Sequence, residues 1–77
     1  MRETILEILK EIRPEFDFTD SEDFIEDGYL DSFDIVTVID ALENKFGVII
    51  DGIEVIPENF ATIDSIEALV NKSEKRQ

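Results

Sequence analysis

The sequence predicts an all-α fold, a bundle of three main helices plus one short helix with a long loop between the first two. Three observations predict it. Apolar residues recur at helical spacing in three separate stretches, and capping or helix-breaking residues bound those stretches. The one β-branched run, Val48-Ile49-Ile50, is too short and isolated to make a sheet. A chain of 77 residues can build only one small core, so a single domain over 1–77 is expected.

Ile5, Ile8, Leu9 and Ile12 lie on one face of a first helix over about 3–13, ended by Pro14, which disfavours helical geometry at Arg13. From Glu15 to Leu30 the spacing of Phe16, Phe18, Phe24, Ile25 and Leu30 fits neither helix nor strand, and acids run throughout. This reads as a long loop pinned by aromatics. Connections longer than about 12 residues in a compact domain are usually functional or disordered; this one delivers Ser32 to its position.

Ile35, Val38, Ile39, Leu42 and Phe46 form the apolar stripe of a second helix over 32–46, with Gly47 suited to the left-handed turn after it. Asp31 or Ser32 can cap its start, and Asp31 and Asp34 both suit the positive end of its dipole. Val48 and Ile50 are expected to be buried in an extended connector, and Asp51-Gly52 reads as a turn. Residues 53–57 can form one helical turn before Pro57. Phe60 anchors the chain before Thr62, which caps a last helix burying Ile63, Ile66, Leu69 and Val70. The tail, about 73–77, looks frayed.

Composition excludes several functions. The chain has no cysteine and no histidine, so it lacks thiolate chemistry, the usual general base and the commonest transition-metal ligand. It is not expected to be an enzyme. Twenty acids against seven bases give a formal charge of −13, which would repel a phosphate backbone, so nucleic acid is a poor partner. Charges thread the N-terminal stretch and no apolar run could span a bilayer, which predicts a soluble, cytoplasmic protein without membrane insertion; a monomer is expected. The 43% hydrophobic content, with six phenylalanines spread along the chain, argues for a packed domain over disorder.

The acid-rich loop is no calcium site. Aligning Asp23, Asp27, Gly28 and Asp34 with an EF-hand puts Ile25 at a ligand position, and Asp34 falls where a bidentate glutamate is needed. No metal site is predicted. The domain is also too small for the cleft that paired glycosidase carboxylates require.

Ser32 remains as the candidate site. No histidine or lysine lies close in sequence to remove its proton, so another enzyme would have to activate it. By spacing alone the favoured reading of Ser32 is an unmodified helix cap. Phe33, Val36 and Asp40 fall off the buried stripe near Ser32 and suit either an apolar docking patch with an acidic rim or, for Phe33 and Val36, packing against the long loop or the third segment.

Asp31-Ser32, preceded by Gly28-Tyr29-Leu30 and followed by a helix running from Phe33 to Phe46-Gly47, resembles the acyl or peptidyl carrier proteins over residues 3–72. The resemblance implies an acyl-carrier-like bundle whose Ser32 receives 4′-phosphopantetheine covalently from coenzyme A, with Asp31 presenting the site. It implies a phosphopantetheinyl transferase, an acyl- or aminoacyl-loading ligase and downstream acyltransferases as partners, as in fatty acid, polyketide or nonribosomal peptide biosynthesis. Phe33, Asp34, Val36, Thr37, Asp40 and Glu43 are then the expected partner-binding residues. Phe33 stands where leucine is commoner in the family, and Thr37, Asn44 and Lys45 replace acids that many fatty-acid carriers have. Pro57-Glu58-Asn59-Phe60-Ala61-Thr62 is similar to the D-alanyl carrier branch, and standalone ligase-loaded carriers look similar too. The alternative from another class is an acidic helical adaptor that binds basic proteins and carries no covalent group.

Overall fold

The computed structural model describes residues 1–76. Helices α1 (Arg2–Ile12), α2 (Ser32–Phe46) and α3 (Ile63–Lys72) carry the fold, within a residue or so of the bounds expected from periodicity. Their inward faces and the loops between them share one apolar cluster. α1 contributes Ile5, Ile8 and Leu9, α2 contributes Val38 and Leu42, and α3 contributes Ile63, Ile66, Leu69 and Val70. Phe24 and Phe60, both from loops, are the largest fully buried side chains. Each such burial is worth roughly 1.5–3 kcal/mol against the ordering entropy of the chain.

Local chemistry sets each helix boundary. α1 stops at Arg13, which Pro14 holds outside helical geometry (φ −133°, ψ 76°), although its amide still donates to the Leu9 carbonyl at 2.9 Å. α2 stops at Gly47, whose left-handed backbone (φ 62°, ψ 42°) lets its amide donate to the Glu43 carbonyl at 3.0 Å. α3 begins at Thr62, whose hydroxyl oxygen accepts from the Ser65 amide at 3.0 Å.

The long loop is held by aromatic contacts. The Phe16 and Tyr29 rings stack at 4.4 Å, and Phe18 meets Phe24 and Tyr29 edge-on at 4.9 and 5.5 Å. A single 3-10 turn, Phe18–Asp20, is opened by the Asp17 carboxylate, which accepts from the Thr19 amide. The Phe24 amide donates to the Ala61 carbonyl at 2.7 Å, and its own carbonyl accepts from Tyr29 and Leu30. The loop is thereby fastened to the chain entering α3 just before it delivers Ser32.

Two expectations are corrected. The run at Val48–Ile49 is not isolated: as strand β1 it pairs antiparallel with β2 (Glu74–Lys75), with Val48 opposite Lys75 and Ile49 opposite Glu74. In the tail the Arg76 amide also donates to the Gly47 carbonyl at 2.7 Å. The free edge of β1 offers backbone partners that α3 delivers the tail to meet, whatever the polarity of its side chains. The expected fraying at Gln77 lies outside the described residues. Val48 and Ile50 are buried, as expected. The short helix is realised as two 3-10 turns, Gly52–Glu54 and Pro57–Asn59, because Pro57 lacks an amide and holds Ile56 extended (φ −128°, ψ 151°).

Thr62→Ala removes the cap of α3 and should lower stability by about 1 kcal/mol in urea denaturation, whereas Thr62→Ser should stay close to wild type.

Candidate functional site

At the head of α2 two acids exchange hydrogen bonds across one serine. The Asp31 carboxylate accepts the Asp34 amide at 2.9 Å, and the Asp34 carboxylate accepts the Asp31 amide at 3.0 Å. This reciprocal capping box makes Asp31 the cap and Ser32 the first helical residue. The cap is complete without the serine hydroxyl, which answers the question the sequence leaves open between Asp31 and Ser32.

The chain contains four serines. Three have structural roles: Ser21 donates to the Asp27 carboxylate at 2.6 Å, Ser65 accepts from the Thr62 hydroxyl at 2.9 Å, and Ser73 donates to the Leu69 carbonyl at 2.6 Å. These three are half-buried, while Ser32 is exposed. Its hydroxyl projects from a helix start whose backbone is fixed by the residues on either side.

Ser32 and Asp31 form the polar end of an otherwise apolar cleft of about 330 Å³. Leu30, Ile35, Val36, Val55, Ile56 and Phe60 are among its apolar lining residues. Sequence reading missed Val55 and Ile56 as site residues. Their only signal is β-branched apolar residues crowded into a turn-rich stretch. An exposed hydroxyl beside an apolar trough suits a long, partly apolar group attached at that oxygen.

The outward face of α2 is apolar near the serine, with Phe33 84% and Val36 67% exposed. Thr37 and Asp40 share this face, with the Thr37 hydroxyl donating to the Phe33 carbonyl at 3.3 Å. Asp34 and Glu43 are placed differently. The Asp34 side chain is only 13% exposed and engaged in the cap, and the Glu43 carboxylate accepts the Ile50 amide at 3.0 Å with Arg76 3.7 Å away.

Arg13 closes the site from the α1 side, its guanidinium 2.9 Å from Asp34 and 3.3 Å from Asp31. The Asp31 carboxyl is held below the ordinary carboxylate value of 3.8, first by the Asp34 amide and further by the nearby positive charge of Arg13. Arg13 is pushed up from its already high value, chiefly by its hydrogen bond to Asp34.

The helical bundle thus places an exposed serine at a helix start, beside an apolar trough and an exposed apolar helix face. The chain belongs to the family described as phosphopantetheine attachment site, which matches residues 1–71. It is a carrier protein, not a catalyst, and the cofactor of its family is covalently attached 4′-phosphopantetheine. Neither the curated proteins nor the solved structures contain a match to the chain. Among the described residues, no helix is long and apolar enough to cross a membrane.

The depressed Asp31 carboxyl has a consequence for acid stability. Its ionisation favours the folded chain above its ordinary value, and that contribution is lost as pH falls through the lowered folded value. Asp31→Asn should therefore lose less thermal stability than wild type between about pH 5 and pH 3, read by thermal unfolding at constant ionic strength.

Proposed function

We propose that Ser32 is the point at which 4′-phosphopantetheine is attached, and that the protein carries an acyl or aminoacyl group on that arm between partner enzymes. Among the described residues, Ser32 is the only one of the four serines not engaged in the fold, and the hydrogen bonds of Asp31 and Asp34 leave its hydroxyl available. In the transfer, the Ser32 oxygen forms a bond to the pantetheine-bearing phosphorus of coenzyme A. The pyrophosphate bond to that phosphorus breaks, the adenosine bisphosphate leaves, and the serine proton passes to a base of the transferase. The attached arm supplies a thiol, absent from this cysteine-free chain, on which cargo is held as a thioester.

The partners proposed are a phosphopantetheinyl transferase, a loading ligase and downstream acyltransferases. They meet the face formed by Phe33, Val36, Thr37 and Asp40. Asp34 and Glu43 are left out of it because their carboxylates are committed within the chain. The charge of −13 would steer basic partners to a weakly held, short-lived complex. The protein acts as one domain, as a monomer, and in the cytoplasm, since a chain without cysteine needs no oxidising compartment.

Incubation with coenzyme A, magnesium and a broad-specificity phosphopantetheinyl transferase should add one phosphopantetheine, located on Ser32 by fragmentation mass spectrometry. Ser32→Ala should remain folded and unmodified. Protein that stays unmodified with several transferases would sink this reading in favour of the acidic adaptor. On the docking face, Phe33→Ser should raise KM for the transferase by about tenfold with an unchanged melting temperature, because the ring buries little in the free protein.

A further inference from the structure

We infer that Arg13 is a positioning residue for modification of Ser32, an inference that rests on Ser32 being the attachment point. Its side chain starts from a fixed place. As the residue closing α1, Arg13 donates its amide to the Leu9 carbonyl and accepts the Phe16 amide on its own carbonyl at 3.2 Å, and Pro14 restricts its backbone.

From there the guanidinium spreads its three nitrogens over three carboxylates. Nε donates to Asp34 Oδ2 at 2.9 Å, Nη2 to Asp31 Oδ2 at 3.3 Å, and Nη1 to Glu15 Oε2 at 3.3 Å. Asp34 Oδ2 is also the oxygen that accepts the Asp31 amide, and the other oxygen of Asp31 accepts the Asp34 amide. Arg13 therefore grips both halves of the capping box from outside the helix. Neither carboxylate can turn about its own bonds without breaking a contact to it, and the Ser32 peptide lies between them.

The charge balance makes this grip necessary. Residues 11–44 hold twelve acids and one base, and that base is Arg13. Without it, Glu15, Asp31 and Asp34 would face one another uncompensated, and like charges at this range separate. A planar fork suits three separate acceptors, whereas the point charge of lysine reaches only part of the set.

A residue that only joins α1 to α2 would affect stability. One that aims Ser32 also affects the chemical step, because small misplacements of a nucleophile carry large rate costs. The test is the steady-state kinetics of phosphopantetheine transfer to wild type, Arg13→Gln and Arg13→Lys, with circular dichroism and melting temperature recorded for each. Arg13→Gln should lower kcat about tenfold with less than a threefold change in KM, since the Phe33 and Val36 face is untouched. Arg13→Lys should regain melting temperature and only part of kcat, and it decides the matter if Arg13→Gln does not fold. A folded Arg13→Gln with wild-type kcat, or a lysine variant that restores kcat completely, overturns the role of Arg13 alone. Wild-type protein that accepts no arm at Ser32 overturns the carrier reading, and this inference with it.

Discussion

The position of the site depends on Phe24. Its ring is buried in the core against Phe18, its amide reaches the chain entering α3, and its carbonyl gathers the amides of Tyr29 and Leu30. A loop from α1 to α2 could drift over the surface of so small a domain. Phe24 turns it into a strut, with side-chain burial supplying energy and three backbone hydrogen bonds supplying direction. Leu30 is buried as a result, and Asp31 and Ser32 emerge next to each other at a fixed point.

That placement lets the acidic chain spend charge locally. Asp31 and Asp34 close a helix start that serine would otherwise be suited to close, and Arg13 keeps the two carboxylates from repelling. The hydroxyl is spared because acids do the capping. The same economy runs through the fold, where Asp17 opens a turn, Asp51 caps another, and Glu43 satisfies the Ile50 amide. Many of the acids that look like a solvated surface in the sequence are holding backbone amides.

Much of the fold is legible in the sequence because its helices are written locally. Of the residues that recur at three and four, Ile5, Ile8 and Leu9 on α1 and all four on α3 are buried while Ile12 is half-buried, and Pro14, Gly47 and Thr62 mark the ends they were expected to mark. Exposure of Phe33 and Val36 also follows from helical spacing. What escaped depends on residues distant along the chain. Two of the three partners of Arg13 lie 18 and 21 positions away, and β2 is made of a glutamate and a lysine that carry no strand pattern. Asp34 and Glu43 sit at positions suited to a partner, yet each finds a backbone amide of its own chain first. Nothing in local periodicity reports such competition.

The pairing of β1 with β2 also sets the tail at the far end of α2 from Ser32. Arg76 is tied to Gly47, at the opposite end of α2 from Ser32, and fifteen residues of helix separate those ends by about 22 Å. An affinity handle, a fluorophore or a solid support joined beyond Arg76 would leave from the far pole. Such an immobilised protein would stand with its serine outward, approachable by enzymes much larger than itself.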